Sequence, residues 1–414
     1  MGASGLYRPW MTVVKQNCLS KSILDRFRPV NACQLSAFMK HWPTMPQRKA
    51  RRVPRAQGGK TFSLKALAEH LGLAPATVSL VLNDAPVAST IAAETRAKIL
   101  AAAREFNYRP NFMARCLRTR RSFTIGVMVS EVSEGYNSMV LSGIEDQLLK
   151  GGYFYFVASH RFRPDLIEQY TELFLDRAVD GLIVVSTPWQ RTVSIPVTTV
   201  SCHHHVEGAT SIVLDHHRAA EIALKHLVKL GHRRIAFIKG QAFVPDTEVR
   251  WKAIVEAAGH LGVEIVPSLV AQIADNSPKP DLGYKVTQKL LLSGEKFTAL
   301  FTFNDISAMG AIRALHEGGL RVPEDVSIIG FDDIDSAAYQ NPGLTTVRQP
   351  LKKMGMMAAE IVLKKINREK DDEHSPPAQV VIEPELIVRG TTCGIEISRK
   401  PHPAKDGSPV EVFP

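Results

Sequence analysis

Two stretches of the 414-residue chain carry residue types suited to nucleic acid, and two others carry residue types suited to a metal. "APATVSLVLN" (74–83) is short, nearly uncharged and small at its front end, with Thr77 and Ser79 expected on one exposed side. Thr and Ser hydroxyls hydrogen-bond base edges or phosphates, and an alanine or a Thr methyl can touch a thymine methyl. Downstream, "YRPNFMARCLRTRRS" (108–122) crowds Arg115, Arg118, Arg120 and Arg121 into one segment. "CHHH" (202–205) and "DHH" (215–217) carry good ligands for zinc or copper. Adjacent histidines in an extended stretch point to opposite faces, so a run alone does not make a chelate. The plainer reading is a loop, with no metal and no cofactor expected. No nucleophile elbow, Walker loop, dinucleotide fingerprint or H-E-x-x-H occurs, so no catalytic residue is assigned and no enzyme is expected.

These residues need elements to present them. Ser63 can N-cap "LKALAEHLG", where Leu64, Leu67, Ala68 and Leu71 share a helix face. Gly72 supplies the closing turn, and Pro75 suits the first position of a second helix. A third helix is expected from Glu94 to Phe106, with Ile99, Leu100, Ala103 and Phe106 inward. Val78, Val81 and Leu82 would then pack the second helix, leaving Ala76, Thr77, Ser79 and Leu80 on its exposed N-terminal side. Three short helices with a tight glycine turn make a helix-turn-helix, whose second helix enters the DNA major groove. A plain three-helix bundle is the rival, and the arginines that follow favour DNA. In the arginine segment, Pro110 allows a helix start capped by Asn111, and Ala114 and Leu117 share a face. So short and like-charged a helix is unstable alone, and is expected to fold when phosphates neutralise it. A solvated basic linker is the alternative.

The bulk of the chain agrees with a nucleic-acid partner. The formal net charge is +10, and hydrophobic residues make up 45% of the sequence, enough for a sizeable core. Five widely spaced cysteines (Cys18, Cys33, Cys116, Cys202 and Cys393) argue against a disulfide framework and for a reducing cytoplasm. No stretch approaches a membrane span, and no secretory signal core is present. Residues 1–60 form a basic extension with Asp25 as its lone acid, read as a disordered leader with Met45 a natural alternative start. An organelle transit peptide is the other reading. From 122 onward, short Val-, Ile- and Phe-rich runs such as "SFTIGVMVS", "DGLIVVST", "RRIAFIKG" and "VSIIGFDD" alternate with helical patterns. Such alternation means parallel sheets covered on both faces. About nine or ten strands suit two doubly wound subdomains better than one.

The helix-turn-helix ending "ATVSLVLN", then "ETRAKILAAAREFNYRPNFMARCLRTRRSFTIGV", "LGHRRIAFI", "FNDISAMGAIRAL", "VPEDVSIIGFDD" and "LTTVRQP", in this order, resembles the LacI family of bacterial transcription regulators over about residues 61 to 392. The resemblance implies an α/β protein: an all-α helix-turn-helix domain (61–108), a hinge helix (109–121) and an effector-binding and dimerisation core (122–392), with a tail (393–414). The core would hold two doubly wound parallel-sheet subdomains like the periplasmic sugar-binding proteins. The chain would cross between them three times, near Leu214, near 282–286 and near Leu344. Effectors would bind in the cleft at the carboxyl ends of the strands.

The resemblance also implies site residues. Ser63, Ala76, Thr77, Ser79 and Leu80, with Asn111, Ala114, Arg115, Leu117 and Arg118 of the hinge, would contact DNA. Leu117 matches the leucine wedged into a central minor-groove step. Leu80 stands where many members have arginine, and the loop "NDAPVASTIAAETR" is a little longer than usual, which leaves the operator sequence open. Arg250, Asn304 and Asp332 match effector-pocket positions: a guanidinium fork suits vicinal hydroxyls or a carboxylate, and an amide and a carboxylate at strand ends can share sugar hydroxyls. Asp305 and Asp333 are read as structural. Tyr136 and Trp189, in loops after the first and third strands, can stack on an apolar sugar face or simply pack. The resulting expectation is a cytoplasmic, homodimeric regulator, with a tetramer open, associated with the nucleoid when bound to a palindromic operator. It would act as a repressor controlled by a small molecule, a sugar or sugar derivative. A cytoplasmic sugar- or solute-binding protein without operator-specific regulation is the rival reading; it would have no use for the hinge arginines.

Overall fold

The computed structural model describes residues 63–83, 85–108, 116, 119, 121–132, 135–274, 280–367 and 377–395. The chain divides into two compact units after Pro110. The extension 1–60, the hinge residues Asn111, Ala114, Arg115, Leu117 and Arg118, and the tail beyond 395 lie outside the described residues.

In the first unit, α1 (Leu64–Leu71) begins at Ser63, whose Oγ accepts the Ala66 N–H at 3.1 Å. It ends at Gly72, whose φ of 63° a side chain would resist. Pro75 opens α2 (Pro75–Leu82), and a 3-10 turn (Pro86–Thr90) leads to α3 (Ala93–Glu105). Leu67, Ala68, Val78, Val81, Ile99 and Ala102 form the buried centre, with Leu64, Leu71, Leu80, Leu82, Ala103 and Phe106 packed around it. Two expectations need correction. Leu100 is 41% exposed, and its place inside is taken by Ala102. Ser79 is buried rather than displayed: the Asn83 side-chain amide donates to its carbonyl at 2.7 Å and to its Oγ at 3.2 Å. Asn83 lies one helical turn on from Ser79, and its side chain covers it.

The second unit contains two six-stranded sheets. Across the first the strands run in the order Gln379–Ile382, Ala209–Leu214, Val197–Val200, Gly181–Val185, Thr124–Val129, Phe154–Ser159, and across the second Glu385–Ile387, Thr345–Arg348, Ser327–Asp332, Ala299–Phe301, Ile235–Lys239, Val270–Gln272. The first subdomain contributes β1 (Thr124–Val129), α4 (Tyr136–Lys150), β2 (Phe154–Ser159), α5 (Pro164–Asp176), β3 (Gly181–Val185), β4 (Val197–Val200) and β5 (Ala209–Leu214). The second contributes α6 (His216–Lys229), β6 (Ile235–Lys239), α7 (Pro245–His260), β7 (Val270–Gln272), α8 (Pro280–Leu292), β8 (Ala299–Phe301), α9 (Asp305–Glu317), β9 (Ser327–Asp332), the one-turn α10 (Asp335–Ala338) and β10 (Thr345–Arg348). Then α11 (Leu351–Asn367) and β11 (Gln379–Ile382) return to the first sheet, and β12 (Glu385–Ile387) to the second. All pairings are parallel except β10 with β12. The central strands are buried along their length because helices cover both faces, as for β1 and β3.

Among the described residues the chain passes between subdomains at Asp215, at Gln349–Pro350 and at Glu383–Pro384. The first agrees with the crossing expected near Leu214. The crossing expected at 282–286 does not exist: that segment lies in α8, which connects β7 to β8 of one sheet and packs on α9. The crossing expected near Leu344 falls after β10 instead, where α11 departs to lie on α4. Close helix contact in each subdomain is made through glycine. A Cβ on Gly143 of α4 would stand 1.9 Å from the Lys352 carbonyl oxygen of α11, and one on Gly310 of α9 would stand 1.8 Å from that of Pro280 in α8.

Candidate functional site

The carboxyl ends of the strands of both sheets face a cleft with about 640 Å³ of empty space continuous with solvent. From the first subdomain come Ser130 after β1, Tyr136 and Asn137 at the start of α4, Phe162 after β2 and Ser186 after β3. From the second come Gln241, Asp246 and Arg250, then Phe303 and Asn304 after β8, and Asp332 at the end of β9. The backbone at these strand ends is unusual. Phe162, Ser186, Ser201, Asp332 and Asp333 all have positive φ, a conformation that non-glycine residues adopt at a cost.

Arg250 is the centre of the second subdomain's wall. It lies on α7, 3% exposed. One terminal nitrogen donates to the Phe303 carbonyl at 2.5 Å, and the other is 3.2 Å from Asp246 Oδ2, one helical turn earlier. Its guanidinium lies 3.7 Å from the Phe331 ring centre and 4.5 Å from that of Phe303. Its Nε, fully buried, has no partner. Asn137 Oδ1 is likewise buried and unpaired. Buried polar atoms are nearly always satisfied, so orphans on a cleft wall mark places where a ligand can complete the bonding.

Asp332 is buried, and Gln349 donates to its Oδ1 at 2.7 Å. Burial pushes its carboxyl up to about 7, opposed by the Arg250 charge and the Gln349 bond. A carboxyl raised in the folded state destabilises it as pH climbs from the unfolded pKa, about 4, towards the folded one. Asp332→Asn removes that loss. Its Tm is therefore expected to gain on wild type between about pH 4 and pH 7, and a gap that stays constant in a pH series of melts would refute the assignment.

The other expected pocket residues fare differently. Asn304 lines the cleft, and its Oδ1 also caps α9 by accepting from Ser307 N–H at 2.9 Å. Tyr136 lines the cleft with its hydroxyl 2.6 Å from Ser201 Oγ. Trp189 does not line it. It is 1% exposed and packs among Met128, Val184 and Cys202 behind the first sheet, which corrects its assignment as a stacking residue. The ring at this wall is Phe162 instead. Buried His160 holds it: the Phe162 N–H donates to His160 Nδ1, and His160 Nε2 meets Thr187 Oγ1 at 2.8 Å. Asp305 and Asp333 hold structure. Asp305 accepts from Ile334 N–H and Thr346 Oγ1, and Asp333 binds Arg348 and Arg389.

Sequence reasoning missed Asp246, and it singled out His203 and His216 only as members of the two histidine runs, with a loop as the plainer reading. Asp246 is buried, with Oδ1 2.6 Å from His203 Nε2 and 3.6 Å from His216 Nε2. Burial opposes its charge, but the two imidazoles and Arg250 hold it well below the usual carboxylate range. Its i, i+4 spacing to Arg250 was a visible signal.

In the first unit, α2 displays Ala76, with Thr77 half-buried and Leu80 half-buried against the core. Ala76 and Thr77 lie in the first turn of α2, while Leu80 and Ser79 serve packing. Arg121, one of the crowded arginines, is drawn off to the end of α11, donating to Asn367 Oδ1 at 2.6 Å and the Ile366 carbonyl at 2.8 Å. Cationic groups are favoured at a helix C-terminus.

Comparison with known proteins places these features. Residues 63–111 match the model for bacterial regulatory proteins of the lacI family, and 224–392 match a periplasmic binding protein-like domain. The HTH-type transcriptional repressor PurR of Haemophilus influenzae is 32% identical over 340 residues, 80% of this chain and 99% of the relative. Among solved structures, the lac repressor dimer bound to operator and the anti-inducer ONPF is 25% identical, with a TM-score of 0.69, covering 81% of this chain and all of that one. The transcriptional regulator CelR in complex with cellobiose is 26% identical, with a TM-score of 0.57 over 80% of this chain and 99% of that one. The chain belongs to the LacI family of bacterial regulatory proteins and is a DNA-binding transcription regulator, not an enzyme.

Proposed function

We propose that this regulator is a cytoplasmic homodimeric repressor that reads a palindromic operator and is controlled by a sugar or sugar derivative bound around Arg250. The observation that carries the effector reading is the buried Arg250 with its unpaired Nε, beside the unpaired Asn137 Oδ1, in a cleft that also offers Asp332 and the rings of Phe162 and Phe303. Donors and acceptors convergent on one side, with aromatic faces alongside, suit hydroxyls on a small ring. The cellobiose and operator complexes of the structural relatives support the same reading. The dimer reading is supported by β2, an edge strand on which the exposed rings of Phe154 and Phe156 lie 5.3 Å apart and Val157 is also exposed. An exposed apolar edge of this kind asks for a partner.

In this reading Ser63, Ala76 and Thr77 contact DNA, and the hinge residues Asn111, Ala114, Arg115, Leu117 and Arg118 enter the minor groove with Leu117 as wedge. The proposed working parts are the helix-turn-helix over 61–108, the hinge over 109–121 and the core over 122–392. Two-fold symmetry demands two half-sites. A full palindrome is therefore expected to bind at least tenfold tighter than a single half-site in fluorescence anisotropy at fixed salt; equal affinities would sink the dimer reading. A thermal-shift panel of sugars identifies the effector, since a ligand at about a hundred times its Kd stabilises the folded state by about 2.7 kcal/mol.

A further inference from the structure

We propose that His203, His216 and Asp246 form a binding site for a divalent transition-metal cation of the zinc class, bridging the two core subdomains. The donors come from three places. His203 follows β4 of the first subdomain, His216 opens α6 just past the first crossing, and Asp246 lies in the first turn of α7. The donor atoms all lie within 4.8 Å of one another. Asp246 Oδ1 is hydrogen-bonded to His203 Nε2 at 2.6 Å, a contact a cation would replace, and stands 3.6 Å from His216 Nε2. Tetrahedral zinc with bonds of about 2.0–2.1 Å separates its donors by roughly 3.4 Å, between these two values. Two imidazoles and a carboxylate are an established type of three-residue zinc set, which leaves a fourth position for water or another ligand atom.

A second observation points to a ligand independently of the spacing. The His216 side chain is 2% exposed, and neither ring nitrogen has a hydrogen-bond partner. Both ring nitrogens are thus buried without a partner, and Nε2 stands 3.6 Å from Asp246 Oδ1, beyond hydrogen-bond distance. The carboxylate is divided between tasks: Arg250 takes Oδ2, and Oδ1 is turned to the two imidazoles. A cation on the Oδ1 side gives His216 the partner it lacks and ties the loop after β4 to α7. The histidine runs thus acquire a use that neither has alone, because only one histidine from each takes part. His204 and His205 are exposed and stand apart.

The test uses the full chain, stripped of metal by chelation and titrated with Co²⁺ and then Zn²⁺, without DNA or sugar, so its outcome does not depend on the effector reading. Wild type is expected to develop the visible bands of tetrahedral cobalt, lost on adding Zn²⁺, and Zn²⁺ is expected to raise its Tm. His203→Ala/His216→Ala should lose the bands and the Tm shift, with affinity at least 100-fold weaker. His204→Ala/His205→Ala should keep both. Circular dichroism melts without metal establish that each variant is folded. If the double variant does not fold, His203→Gln, at a half-buried position, replaces it with the same expected loss. Equal cobalt binding by wild type and the His203/His216 variants overturns the site, and so does loss in the His204/His205 variant.

Discussion

Arg250→Ala is expected to abolish the response to effector while the helix-turn-helix still binds operator. The guanidinium holds the Phe303 carbonyl and Asp246 and lies against two aromatic rings, so its removal undoes several contacts at once. Charged hydrogen bonds to a ligand contribute on the order of 1.5–3 kcal/mol. Their loss weakens effector binding roughly tenfold to hundredfold. Removing one partner of a buried ion pair also strands the other, here Asp246 at 6% exposure, and costs the core about 3–5 kcal/mol. Arg250→Lys should not rescue binding, because an ammonium cannot reproduce the planar fork. The measurement is calorimetric titration of the sugar found by thermal shift, with and without operator, on both proteins. In wild type the operator must change effector affinity by the factor that effector changes operator affinity. A variant that binds the sugar as tightly as wild type removes Arg250 from the site, and Asn304 and Asp332 with it.

Gly310→Ala is expected to destabilise the core by about 3 kcal/mol, the upper end of overpacking costs. Its new methyl would sit 1.8 Å from the Pro280 carbonyl oxygen and 2.6 Å from the Tyr284 nitrogen, and both obstacles are backbone. No rotamer change relieves such a clash; α8 and α9 must separate. Gly283 makes the reciprocal approach, its Cβ position 2.1 Å from the Ser307 carbonyl oxygen. Gly259→Ala is the control. It lies in α7 with nothing within 4 Å of a Cβ, and alanine there should stabilise by about 0.5–1 kcal/mol. Urea denaturation decides: a lower midpoint at constant slope for Gly310→Ala and a higher one for Gly259→Ala. Parity between the two would show that the helices are not as close as described.

Local chemistry made much of the fold legible. Ser63 and Gly72 bracket α1 because a hydroxyl can satisfy a free N–H and only glycine turns left-handed without strain. Pro75 opens α2 for a similar local reason. Continuous apolar runs became buried parallel strands because two covered faces leave no polar side to alternate with. Arg250 and Asp332, expected from the family resemblance, both line the cleft, one from within α7 and the other from the end of β9.

What the sequence by itself determined is therefore the identity and order of elements, along with the residues that end them. The tertiary structure decided which side of each element meets what. Trp189 and Phe162 both follow strands of the first sheet, yet one is buried behind it and the other lines the cleft. Ser79 differs from Thr77 by two places in one helix, and packing takes it inside. His203 and His216 belong to separate histidine runs, and Asp246 lies beyond a crossing, yet folding brings them within 4.8 Å. The physical reason is that capping and periodicity act over a few residues, whereas facing and proximity depend on contacts between elements far apart in the chain.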